Sequence, residues 1–111
     1  MEQITIDDFK KVDIRVGKIL RVQEFPKAKR PAYKLWIDFG DLGVKRCSAR
    51  ITKLYELGEL LNKQVLAVVN LPPLQVADFI SEVLLLGVML DQDEVALVQP
   101  DREVPIGKRV L

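Results

Sequence analysis

An all-β domain folded as a small barrel is the class this sequence predicts, and three observations carry it. Apolar residues recur with a period of two in several short runs. Glycines, prolines and aspartates punctuate those runs, and the only helical candidates are a turn or two long. At 111 residues the chain reads as one domain spanning 1–111, long enough to bury roughly two-thirds of its unfolded surface.

Taken in order, "TIDDFKKV" predicts a short N-terminal helix. Thr5 caps it, Asp7 and Asp8 suit its positive end, and Lys10 and Lys11 suit its last turn. "VDIRVGKILRV" predicts a long first strand with Val12, Ile14, Val16, Leu20 and Val22 on one face. Lys18 interrupts that face beside Gly17, and a glycine there predicts a bulge or bend. "PKAKRPAY" is a loop. "YKLWIDFG" sets Leu35, Ile37 and Phe39 on one face of a second strand and Lys34, Trp36 and Asp38 on the other. "DLG" is a tight turn returning "VKRCSARI" as an antiparallel partner. "YELGELLNKQ" supports one or two helical turns. "VLAVVN", the Pro72–Pro73 junction, "SEVLLLGVM" and "EVALVQP" supply the remaining strands, and "VPIGKRVL" is apolar enough to be pinned down. Five or six short strands with a small helix between the third and fourth match a partly open five-stranded barrel of the oligonucleotide-binding type, the OB-fold. A β-sandwich usually needs more strands.

The residue types that are missing exclude whole classes of chemistry. There is no histidine, so no imidazole base or ligand is available, and Cys47 alone excludes an intrachain disulfide or a thiolate metal cluster. Neither phosphate-binding glycine pattern occurs. Asp91, Asp93 and Glu94 lack the spacing of a calcium loop and read as a solvated turn. Ser48, Ser81, Thr5 and Thr52 have no base beside them. The expectation is a protein without catalysis, metal or cofactor. The lone thiol and the lack of a signal peptide or long apolar run point to a cytoplasmic protein that does not insert into membranes.

Charge is segregated along the chain. Residues 10–53 hold 13 Lys/Arg against 4 Asp/Glu, and the remainder hold 4 against 12. Lys27, Lys29, Arg30 and Lys34 gather around one loop, and Lys45, Arg46, Arg50 and Lys53 lie along the hairpin partner, with Tyr33 and Trp36 among them. Cations interleaved with aromatics on a strand face can neutralise phosphates and stack bases. Trp36 also suits the end of a barrel or a dimer seam. The 49% hydrophobic content is enough to leave apolar surface for an oligomer interface.

"DIRVGKI", "PAYKLWIDFG", "NLPP" and "SEVLLLG" occur in this chain in the order and spacing of the tRNA-binding domain, a barrel module appended to some methionyl-tRNA synthetases. The chain resembles that family from about Asp8 to its C-terminus. The lone-domain length, "FPKAKRPAYKL" and "SEVLLLG" are most similar to the small export-associated chaperones within it. The resemblance implies an OB-fold barrel with N- and C-terminal extensions, forming a homodimer that binds unfolded or pre-export polypeptides and tRNA or structured RNA. A tRNA-binding module acting in trans, or an adaptor docking onto an aminoacyl-tRNA synthetase, are the other roles it admits. In the tRNA-binding members the site uses a lysine, an asparagine and a serine, which fall on Lys34, Asn70 and Ser81; Arg30, Trp36, Arg46 and Arg50 complete the expected surface. The amide of Asn70 and the hydroxyl of Ser81 suit the reading of single-stranded RNA ends, and equally the capping of main-chain groups at strand ends. Where the tRNA-binding members carry Ser-x-Gly-Met, this chain has Ser81-Glu82-Val83-Leu84, and "PAYK" replaces their Ala-Asp-Lys. Both departures follow the chaperone type.

Overall fold

A computed structural model describes residues 1–111. Helix α1 (Ile6–Lys10) begins at Thr5, whose Oγ1 accepts from the Asp8 amide while the Asp8 carboxylate accepts from the Thr5 amide. This reciprocal cap satisfies two of the donors that a helix start leaves free. Strands β1 (Ile14–Glu24), β2 (Tyr33–Asp38) and β3 (Val44–Ala49) follow as an antiparallel meander. A short helix α2 (Leu57–Leu60) then precedes β4 (Gln64–Val68). The main sheet runs β3-β2-β1-β4-β7, with β7 at Leu84–Leu85. Two hairpins complete the chain, β5–β6 (Leu74–Val76, Phe79–Ser81) and β8–β9 (Gly87–Met89, Val95–Leu97). This is the predicted five-stranded, nearly closed OB-type barrel, with the short helix between β3 and β4.

Strand β1 belongs to both halves of the barrel. Its first half pairs with β4 and its second with β2, and the register slips between Ile19 and Arg21. Leu20 is therefore the bulged residue, 46% exposed rather than in the core. Before the bulge the inward positions are Gly17 and Ile19, and after it Val22 packs on the core. The expected face Val12, Ile14, Val16, Leu20, Val22 is corrected accordingly, because one extra residue switches the side that a period of two points to; Val16 is buried as expected, at 5% exposure, where the C-terminal tail pairs with β1. Gly17 has a packing reason of its own. A Cβ there would stand 2.5 Å from Ile37 Cγ2 and 2.7 Å from the Phe39 ring.

Ile19, Leu35, Ile37, Phe39, Cys47, Leu60 and Val65 fill the interior, all at most 1% exposed. Burial pushes the Cys47 thiol up to about 11, so it is a small apolar side chain and not a nucleophile. The C-terminal tail is pinned as expected. Val16 donates to the Lys108 carbonyl, Gly107 to Val16, and Val110 to Ile14. The Arg15 guanidinium ties Asp13 at 2.7 Å to the Gly107 carbonyl at 3.0 Å.

"SEVLLLGVM" is not one strand. It runs from the end of β6 through β7 into β8, and the stretch 74–81 before it forms the β5–β6 hairpin. The hairpin turns at Ala77, whose φ of 51° is left-handed and has no glycine to announce it. Its end seals the barrel. Ser81 Oγ accepts from the Ser48 amide at 3.0 Å, Glu82 Oε1 accepts from the Arg46 amide at 3.0 Å, and the Glu82 amide donates to the Arg46 carbonyl at 2.8 Å. An irregular segment thus satisfies the edge of β3 as a further strand would.

Candidate functional site

Two surfaces emerge from this frame. The first is the outer face of β1–β2–β3. The alternation that sends Leu35 and Ile37 inward sends Lys34 and Trp36 out, and the register places Trp36 between Arg21 on β1 and Arg46 on β3. The Arg21 guanidinium lies 4.5 Å above the indole. Phe79, delivered by the β5–β6 hairpin, meets Trp36 edge-on at 5.8 Å and Phe25 at 5.6 Å. Lys34 Nζ stands 4.8 Å from the Phe25 ring and 5.2 Å from Phe79, and Arg46 is 5.4 Å from Phe79. Three cations rest on three rings, each contact worth about 0.5–2 kcal/mol depending on its desolvation. Lys34 and Arg21 form no salt bridge, whereas Arg46 lies 3.6 Å from Glu82. Lys34, Trp36 and Arg46 are therefore brought together, and Arg21, Phe25 and Phe79 join them without having been expected.

The second surface is an open groove of about 950 Å³ beside the first. Its walls are the 27–32 loop, the end of β3 through Ile51, strand β5, the β7–β8 segment and strand β9, and 13 of its 20 lining residues are hydrophobic. Leu74, Leu84 and Met89 are 65%, 52% and 79% exposed there. Lys27, Lys29, Arg30 and Arg50 supply its cations. Lys27 bonds Asp78 at 2.8 Å across the gap between loop and hairpin. That hydrogen bond holds the Asp78 carboxyl below the usual carboxylate range and raises Lys27. Leu84, which stands where the tRNA-binding pattern has methionine, is thus a groove residue, and Glu82, two residues before it, closes the barrel.

Asn70 and Ser81 line neither surface. Asn70 Oδ1 accepts from the Asp13 amide at 2.9 Å, and its Nδ2 donates to the Lys11 carbonyl at 2.7 Å, so the whole amide clasps the N-terminal extension. Ser81, 9% exposed, is engaged with Ser48 and the Val83 carbonyl. Of the two uses open to these side chains, the main-chain one is realised here. Lys45 and Lys53 stand apart from the aromatic cluster, and Lys53 donates to the Gln92 carbonyl.

A strand face that sets cations against rings thus stands on a barrel of the oligonucleotide-binding topology. A family profile described as "Putative tRNA binding domain" matches residues 14–109, and the chain belongs to that family. Within it the chain is similar to the chaperone CsaA. The Bacillus anthracis str. Ames structure is 44% identical, with a TM-score of 0.95 over 99% of this chain and 100% of that one. CsaA from Picrophilus torridus is 52% identical, with a TM-score of 0.91 over 98% and 100%. The methionine–tRNA ligase of Pyrococcus horikoshii is 42% identical over 99% of this chain, but the chain spans only 15% of the ligase's length. No helix is long and apolar enough to cross a membrane.

Proposed function

We propose that this protein is a non-catalytic, homodimeric binding protein that holds unfolded or pre-export polypeptides in the groove. The groove carries the reading. It is open, largely apolar, and offers cations in Lys27, Lys29, Arg30 and Arg50 to an extended peptide's acidic side chains. Exposed apolar side chains elsewhere, Ile4, Ile6 and Val88 among them, leave surface for a second copy of the chain. The test is suppression of aggregation of a chemically unfolded client by the purified protein. Suppression is expected from the unaltered chain and is expected to disappear in Leu84→Glu, which puts a charge on the groove wall without touching the core. A protein that suppresses nothing, or a Leu84→Glu variant that works as well, ends this reading. Light scattering during gel filtration tests the dimer.

The cation–aromatic face favours a second activity, binding of tRNA or another RNA acting in trans. Lys34, Arg21 and Arg46 neutralise phosphates there, and Arg30 and Arg50 extend the positive surface toward the groove. Binding is expected to weaken steeply with salt, by about 0.7–0.9 in the log–log slope for each phosphate contacted. A flat salt dependence, or no binding in dilute salt, removes this activity and leaves the groove's untouched.

A further inference from the structure

Trp36 is the only tryptophan of the chain, and its surroundings are asymmetric. On one side the indole is buttressed by Phe79, which is buried and itself braced by Phe25. The one cation over the ring is the guanidinium of exposed Arg21, 4.5 Å from its centroid. No carboxylate pairs with Arg21 within salt-bridge distance, and the polar side chain beside it is the amide of Gln23. The plane over Trp36 is therefore filled by a flat, solvent-exposed cation on a long stem with several rotatable bonds. The ring beneath is held from behind. A flat π-system is what such a slot accepts in exchange, and RNA bases stack on indole and guanidinium planes alike.

The flanking charges match a nucleotide chain. Arg46 lies across the register from Arg21, on the far side of Trp36, and Lys34 stands on the next outward position of the same strand. A base resting on Trp36 has cations on either side for the phosphates before and after it. The negative groups around it are Glu82, engaged with Arg46 at 3.6 Å, Asp38, whose carboxylate accepts from the Gly40 amide, and Asp78, which is paired with Lys27 at 2.8 Å and also senses the Lys34 charge.

We propose that the outer face of Trp36 is a stacking subsite for an unpaired base of RNA, kept closed in the free protein by Arg21, which the base displaces and which then engages a neighbouring phosphate. This rests on the RNA-binding activity proposed above and specifies how that face reads its ligand. It concerns single-stranded segments, since a paired base does not present its plane. Arg21 is a gate as well as a contact.

The experiment titrates the full-length protein with a dye-labelled, unstructured oligoadenylate. RNA anisotropy and Trp36 emission are followed together. Both signals are expected to report one Kd, with emission quenched as the base stacks. Trp36→Leu is expected to weaken binding about tenfold or more, and Trp36→Phe, which keeps an aromatic plane, to recover most of it. Arg21→Gln is expected to lower the salt slope by about one phosphate's worth and to leave quenching intact. Thermal melting of each variant separates loss of the subsite from loss of the fold. Rising anisotropy with unchanged Trp36 emission, or a folded Trp36→Leu that binds like the parent, overturns the subsite and leaves RNA binding standing. No anisotropy change at low salt overturns both. Equal quenching and competition by oligoglutamate also overturns the subsite, because the surface then reads charge and not a base.

Discussion

Leu35 and Ile37 point from β2 into an interior that water does not enter, while Lys34 and Trp36, one position along, stand outside among rings and cations. Both sets share one backbone and the same ladder to β1 and β3. The difference between them is purely which side of the sheet a period of two selects. Inside, each side chain is judged by volume, because nothing can move aside in a barrel closed on itself. Outside, each is judged by charge and by the plane it presents. Ser81 sits at the boundary: it comes from the hairpin that brings Phe79 to the outer face, yet its hydroxyl serves the barrel's edge.

That contrast can be broken most forcefully from the inside. Leu35→Ala is expected to destabilise the domain by about 2–5 kcal/mol, read as a lower denaturation midpoint. The outward Lys34→Ala is expected to lower that midpoint by less, through loss of its contacts with Phe25 and Phe79, while weakening RNA binding. A midpoint that falls equally for both would erase the division between the faces. The boundary residue comes next. Ser81→Ala removes the acceptor of the Ser48 amide and is expected to cost about 1–3 kcal/mol. RNA affinity per folded molecule should stay as it was. Lost affinity at unchanged stability would instead make the hydroxyl a ligand contact.

A smaller effect is expected from the network that straps the tail to β1. The hydrogen bond from Arg15 holds the Asp13 carboxyl below the usual aspartate range; burial opposes it, and the Arg15 and Arg109 charges assist. A carboxylate whose folded pKa is depressed stabilises fully above its unfolded value of about 4 and loses that contribution as pH falls through the folded value. Melting temperatures of Asp13→Asn should therefore lie below the parent's at neutral pH and converge with them in acid. A gap that is constant with pH would mean that charge is not the cause. The smallest change concerns the hairpin carrying Phe79. Ala77→Gly relieves the left-handed φ of 51° and is expected to stabilise by at most about 1 kcal/mol. A loss of stability would show that the Ala77 side chain matters more than its backbone.

Local patterns made much of this molecule readable. The cap at Thr5, the inward Leu35–Ile37–Phe39 row, the outward Lys34 and Trp36, the turn after Phe39 and the pinned tail each follow from residues close together in the chain. Less legible was what depends on one irregular position. Leu20 bulges, and every assignment before it on β1 changes side. Ala77 turns a hairpin without glycine, so β5 and β6 were hidden and Phe79 with them. Phe79 had only its alternation with Ser81 to signal it, and Arg21 becomes Trp36's neighbour only once the bulge has set the register.

By itself the sequence determined the barrel class, the alternation of the strands and the concentration of positive charge in their first half, because these are consequences of periods and neighbours. Only the tertiary structure decided that Asn70 grips Asp13 and Lys11, that Ser81 and Glu82 complete the edge of β3, and that the groove draws its walls from five separate segments. The reason is physical. A polar side chain bonds whichever unsatisfied main-chain group the fold delivers to it, and that group can lie 57 residues away, as the Asp13 amide does from Asn70.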